Sequence, residues 1–228
     1  TPIFMQEFFS GLTEACFAML FLLAIWLRLK KHFNSSLIVL SLLPFVRTEA
    51  VLFIVWFGLL DLIERKSFQT VFLFTGTVFY SLVGWLAKGD VLWLINEMPY
   101  VGNTNIYGSG SVFHYLRIMP EKIGRVILLT SGLSIVFALA GVFSKRKDAI
   151  WLMKFVVIPM GIYVVFHSVM WYLGRVSLGL PRMLAVIVPM LVIMTLYFVS
   201  RIHELFQNRY VTQMVSLLIA SIVLVKSY

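Results

Sequence analysis

The chain has 228 residues, 61% of them hydrophobic and only 13% charged, with a mean hydropathy of +0.94. A soluble domain carries roughly half apolar and a quarter charged residues, so this composition excludes one and indicates an integral membrane protein. The net charge of +9 gathers at the ends of apolar runs, as topology-setting charge does, so nucleic acid is not an expected partner; the lone Cys16 excludes an internal disulfide and a cysteine metal site.

Apolar segments fall at 11–27, 36–63, 69–87, 124–143, 150–172, 183–200 and 211–227. Long apolar runs between short basic connectors predict an all-α integral membrane fold, a polytopic helical bundle forming a single domain over 1–228. A porin-type barrel would alternate polar and apolar residues along each strand. All but one of the segments approach the ~20 residues of a full helical span, which predicts about six spans. The first segment carries Glu14 near its start, where the helix dipole favours a carboxylate.

The segment 36–63 departs from the pattern. It holds Pro44, Arg47 and Glu49 near its middle, flanked by apolar residues on both sides (SLIVLSLLPFVRTEAVLFIVWFGLL). An ionisable residue at membrane depth costs roughly 2.5–3.5 kcal/mol on insertion scales and marks a functional-site candidate; a mutually satisfied structural ion pair is the alternative. At 28 residues the segment is too short for two full crossings and can be only one crossing or a re-entrant dip. If it dips in and returns, the connectors 28–35, 64–68, 144–149 and 201–210 share one side. They carry Arg28, Lys30, Lys31, Arg65, Lys66, Lys145, Arg146, Lys147, Arg201 and Arg209, against Lys88, Arg117, Lys122, Arg175 and Arg182 opposite. A single crossing would spread these charges almost evenly. The positive-inside rule therefore predicts a re-entrant helical hairpin over 36–63. Half-helices of about 11–15 residues rise roughly 16–22 Å, which places the Arg-Thr-Glu turn in the outer half of a ~30 Å core. Non-helical backbone there must be buried in protein or line water.

Further along, Asp61, Glu64, Arg65 and Lys66 read as a solvated helix end. Asn34-Ser35-Ser36 matches the glycosylation pattern but lies in a basic connector expected to face the cytoplasm. The long connector 88–123 holds Tyr100, Tyr107, Phe113, Tyr115 and Leu116, which predict an outer amphipathic loop along the bilayer surface, with Gly108 and Gly110 as its turn and His114 inside it. His167 and Trp171, one helical turn apart, read as core packing. Arg182, in GLPRMLAVIVP at an outer helix entrance, is either a snorkelling anchor or a phosphate ligand. The chain contains no GxxxxGK[ST], HExxH or GxSxG motif and no zinc spacing, so ATP-driven chemistry is not supported and no metal or cofactor is demanded.

Several stretches together resemble one family. PIFMQEFFSGLTEACFAML (Pro2 to Leu20) is similar to a helix start bearing a Glu after the first outer loops. LLPFVRTEAVLF resembles a short Arg-x-Glu hairpin, YGSGSVFHYL an outer amphipathic loop, and GLPRMLAVIVPML an Arg-bearing helix entrance. Their order resembles the polytopic GT-C glycosyltransferase superfamily over most of the chain. The resemblance implies an enzyme that moves a sugar from a polyprenyl-phosphate carrier to a glycan, lipid or protein acceptor. Transfer would occur on the outer face of a bacterial inner membrane, without a cofactor or metal. It implies Arg182 as a phosphate ligand and Arg47 as either a second one or the orienting partner of Glu49. Glu49 would shape the cavity, and His114 with Tyr115 would contact or gate donor or acceptor. The family's catalytic base is an acidic residue in the first outer loop. No residue here fills that role, so the base is expected upstream of Thr1, in a longer polytopic protein. A non-enzymatic transporter or flippase and a structural subunit of a membrane assembly are the alternatives. Inverted repeats would favour the transporter, and none is evident.

Overall fold

The computed structural model describes Ile3 and residues 13–64, 67–96, 108–175 and 179–225, and all the regular structure among them is helical. The helices are α1 (Thr13–Leu29), α2 (Phe33–Val46), α3 (Val51–Ile63), α4 (Phe68–Lys88), α5 (His114–Phe143), α6 (Lys147–Tyr172), α7 (Pro181–Phe206) and α8 (Arg209–Val225). With 21, 30, 26 and 26 residues, α4, α5, α6 and α7 are long and apolar enough to cross a membrane. Large apolar side chains such as Phe68, Phe79, Leu129, Phe143 and Leu196 stand exposed on their outer faces. In a water-soluble bundle those positions would be polar; here they suit a lipid surround.

The apolar segment 36–63 is two helices. Pro44 lies in the last turn of α2, and Arg47 follows the helix with an extended backbone (φ −149°, ψ 125°). A 3-10 turn, Thr48–Ala50, then leads into α3. Two ion pairs fix the direction of these helices against α1. Arg47 pairs with Glu14 in the first turn of α1, while Asp61 near the end of α3 pairs with Arg28 in the last turn of α1. Glu14 and Arg28 are fourteen positions apart, which spans roughly 21 Å of helix. The chain therefore climbs α2 from one end of α1, turns at Arg47 beside the other, and returns along α3. The end holding Arg47 is called the tip end below, and the end holding Asp61 the base end.

Aromatic packing fills the hairpin's contact with its neighbours. Phe21 of α1 lies 5.3 Å from Phe53 and 6.5 Å from Phe57 of α3, ring centre to ring centre. Phe57 in turn meets Phe155 of α6 at 5.6 Å, and Phe53 meets Tyr163 at 5.9 Å. At the base end the Arg28 guanidinium lies over Phe155 at 4.7 Å as well as against Asp61. A cation–π contact of this kind strengthens as it is desolvated. α2 meets α4 where Gly76 lets backbones approach: a Cβ there would collide with the Ser41 carbonyl, and the Gly76 N–H donates to Ser41 Oγ at 2.9 Å. α5 and α7 are joined through small polar residues, with Ser131 Oγ donating to the Leu191 carbonyl at 3.2 Å and Thr130 bonded to Thr195 at 3.0 Å. Close small-residue seams are how helices associate where apolar burial gives no net drive.

Three sequence expectations change. Asp61 is not at a solvated end; it is 1% exposed and paired with Arg28, because the hairpin's return brings it to the guanidinium that Phe33, Phe57 and Phe155 cover. The connector after α4 ends earlier than 123, since after a short helical turn at Trp93–Asn96 the long helix α5 begins at His114. The apolar run begins only at Gly124 because a π-helical turn, Pro120–Gly124, interrupts α5, closing on Gly124 at φ 106°, which only glycine adopts without strain. Tyr115 is 1% exposed and belongs to the core, not to a surface-lying element, whereas Phe113 and Leu116 are exposed. Tyr100, Tyr107, Arg65 and Lys66 lie outside the described residues.

The base-end pair has a measurable consequence. Asp61→Asn or Arg28→Met alone strands a buried charge, and each is expected to cost about 3–5 kcal/mol of stability. Arg28→Met with Asp61→Leu should recover most of that loss. Thermal unfolding in detergent across the two single variants and the double checks it, and additive losses in the double would refute the pairing.

Candidate functional site

The tip end collects polar side chains from α1, α5, α6, α7 and the turn between α2 and α3. Arg47 is its centre. Because its backbone is extended, its side chain leaves the helix direction and reaches two carboxylates, Glu14 of α1 and, at 3.1 Å, Glu49 of the 3-10 turn. Residues two apart cannot face each other on a continuous helix, so the break after Val46 is what permits the Arg47–Glu49 pair. The same Arg47 nitrogen that pairs with Glu49, Nη2, also donates to the Met183 sulfur of α7 at 2.9 Å. Tyr163 of α6 donates its hydroxyl to that sulfur at 3.8 Å. Met183 thus joins the hairpin tip to α6 and α7.

Beyond Tyr163 the cluster continues into rings. Tyr163 and His167 have ring centres 4.5 Å apart, and His167 meets Tyr115 of α5 at 6.1 Å. His114 bonds through Nε2 to the Gly179 carbonyl at 2.8 Å and lies 5.6 Å from Trp171. Trp171 is itself clasped by glycines: a Cβ at Gly110 or Gly179 would overlap its indole, and the Gly110 N–H donates to the Trp171 carbonyl at 3.3 Å. The two glycines of the connector therefore seat the chain against α6 before α5 begins.

Arg182 stands at the start of α7, in a 3-10 turn (Pro181–Ile187), next to Met183. It is half-buried, its Nε is enclosed, and among the described residues it has no hydrogen-bond or ion-pair partner. Several other buried polar atoms at this end also lack a hydrogen-bond partner among the described residues: Glu14 Oε2, Arg47 Nε, Trp171 Nε1 and both ring nitrogens of His167. A buried donor or acceptor left unpaired costs about 1–3 kcal/mol. Arg28 Nε, Gln69 Oε1 and Tyr197 OH are unpaired elsewhere among the described residues, but most such atoms lie at this end, which makes it the candidate place for something polar to bind.

Of the residues singled out from sequence, Arg47, Glu49, His114, Tyr115 and Arg182 all lie at this end. Arg47 touches Glu49 directly, and His114 packs on Tyr115 at 5.2 Å. Glu14 and His167 were assigned to a helix dipole and to core packing, and both join the cluster. The signal for Glu14 was present, since a carboxylate at membrane depth also requires a partner. No local pattern distinguishes His167 from a packed core ring. Among the described residues, no group of three or more His, Cys, Asp or Glu side chains could hold a metal ion.

No protein-family model matches the chain, and no curated protein or solved structure is significantly similar to it. The fold and site define a helical protein compatible with a multi-pass membrane protein, with a polar cluster buried at one end.

The cluster's wiring predicts an outcome that a simple Arg47–Glu49 pair would not. Arg47→Met should destabilise the protein by about 3–5 kcal/mol. Adding Glu49→Gln should recover little, because Glu14 stays buried without its cation. Adding Glu14→Gln as well should recover most of the loss. Thermal unfolding of the three variants tests this, and full recovery in the double variant would remove Glu14 from the network.

Proposed function

We propose that this chain is a GT-C-like membrane glycosyltransferase that moves a sugar from a polyprenyl-phosphate carrier to an acceptor at the tip end of the bundle, facing the outside of a bacterial inner membrane. The observation that carries the proposal is Arg182, a half-buried guanidinium without a partner among the described residues, beside the Arg47 cluster. A guanidinium offers a planar fork matched to phosphate oxygens. Fixed at the start of a membrane-length helix, it would meet a lipid phosphate at the membrane surface while the carrier's chain lies along the exposed apolar faces.

The division of labour between the two arginines follows from their partners. Arg47 already donates to Glu14, Glu49 and Met183, which favours a positioning role over direct phosphate binding. Glu49 and Glu14 hold it and neutralise its charge, which leaves Arg182 as the cation for a phosphate. Arg182 would neutralise charge on the departing lipid phosphate, the position where preorganised cations lower a barrier most. His114, fixed by Gly179, and Tyr115 would line the approach. The carboxylate that deprotonates the acceptor is not assigned to any residue of this chain. The α2–α3 hairpin supports a re-entrant element, since its helices of 14 and 13 residues are too short to span separately. With α1 and α8 as further crossings, the bundle would have six full spans, and α2–α3 would enter from the cytoplasmic face.

Arg182→Ala is expected to abolish transfer from polyprenyl-phosphate-linked sugars while melting like the wild-type protein. Arg182→Lys should restore only part of the rate, because an ammonium lacks the fork. Wild-type transfer by Arg182→Ala would reduce Arg182 to an anchor.

Topology is tested separately on a Cys16→Ser background. A cysteine at Ser109 should react with an impermeant thiol reagent from outside, and cysteines at Ser35 and Ser144 should not. Labelling of positions 35 and 109 from the same side would overturn the re-entrant assignment.

A further inference from the structure

His167 has no task in the reading above. It sits on α6 at 1% exposure, and neither ring nitrogen has a hydrogen-bond partner among the described residues. A neutral imidazole offers one donor and one acceptor, so both capacities are open. Its neighbours are rings: Tyr163 at 4.5 Å, Phe166 at 5.4 Å and Tyr115 at 6.1 Å between centres. The Tyr163 hydroxyl is directed to the Met183 sulfur, not to the imidazole. Arg47 and Glu49 lie close enough to interact with the imidazole electrostatically. One turn further along α6, Trp171 Nε1 is also a buried donor without a partner among the described residues, and across the cluster Glu14 Oε2 is a buried acceptor likewise unpaired among them.

These open groups specify a ligand chemistry. A phosphate takes donors and cations only, and an open carboxylate oxygen beside it is unfavourable. A metal ion needs a ligand set that is not present among the described residues. Neutral donors and acceptors set among aromatic faces suit a polyhydroxylated ring, whose hydroxyls both give and accept while its C–H face lies on the rings. We infer that His167 is a sugar-binding residue, making hydrogen bonds to hydroxyls of the carrier-linked sugar while Arg182 holds its phosphate. This rests on the glycosyltransferase reading and assigns the sugar to a definite part of the cluster.

The test uses two kinds of soluble probe with the detergent-solubilised chain: citronellyl phosphate, which carries no sugar, and a panel of citronellyl-phosphate hexosides. Binding is followed by thermal shift. Wild-type protein is expected to bind at least one hexoside about tenfold more tightly than the sugar-free phosphate. His167→Phe fills the same space without open polar atoms. It should melt at or above the wild-type temperature, bind citronellyl phosphate as wild type does, and lose the tenfold preference. His167→Asn, which keeps a donor and an acceptor, should retain part of it. A His167→Phe variant that keeps the preference overturns the inference. So does one that melts well below wild type, since the ring nitrogens would then serve the fold. If the wild-type protein binds the phosphate but prefers no hexoside, the His167 assignment fails and the Arg182 reading stands. If it binds neither probe, both fall.

Discussion

A charge enclosed by apolar side chains must find its counter-charge inside the same enclosure, and this chain meets that demand twice along one helix. α1 presents Glu14 at one end and Arg28 at the other. Arg47 answers the first and Asp61 the second. Because Arg47 sits at the turn of one apolar segment and Asp61 on its returning limb, a segment that starts beside Arg28 satisfies both only by folding back on itself. The aromatic contacts from Phe21 through Phe53 and Phe57 to Phe155 then join hairpin, α1 and α6 into one core. Breaking either ion pair strands a charge in that core, which is far costlier than never having placed one there.

The two pairs differ in kind. Arg28 and Asp61 form a one-to-one pair closed under rings at the base end, with only Arg28 Nε left without a partner among the described residues. At the tip end Arg47 has two carboxylates, and one of them keeps an oxygen with no partner among the described residues. Unpaired polar atoms accumulate there, from Glu14 through His167 to Trp171 and Arg182. Structural economy would have replaced them with apolar side chains of similar size. Their retention at one end of the bundle is why that end is taken as the functional one, and why the proposed chemistry combines a cation for phosphate with neutral groups for hydroxyls.

The helices themselves also carry irregularities toward functional and contact positions. The π-helical turn Met153–Val157 of α6 includes Lys154, whose carbonyl accepts the Trp56 indole N–H at 2.7 Å, locking α3 to α6. The turn at Pro120–Gly124 allows α5 to carry Tyr115 into the core before its apolar length begins. Such insertions shift the facing of a helix by about one residue and are common near sites.

Composition and the spacing of apolar runs were sufficient for an all-helical chain with membrane-length segments, because hydropathy is a sum over many residues and tolerates local exceptions. The anomaly at Arg47 and Glu49 was legible for the same reason: two ionisable residues stand out against a uniformly apolar background. Partners were not legible. Nothing local distinguishes Asp61 from an ordinary charged helix end, Glu14 from a dipole-favoured carboxylate, or His167 from a packed ring. Each acquired its role from a residue far along the chain, 33 positions away for both Arg28–Asp61 and Arg47–Glu14. Pairing and burial are properties of where helices meet, and that depends on the close approach of particular faces, such as Gly76 on Ser41, which only the folded chain decides.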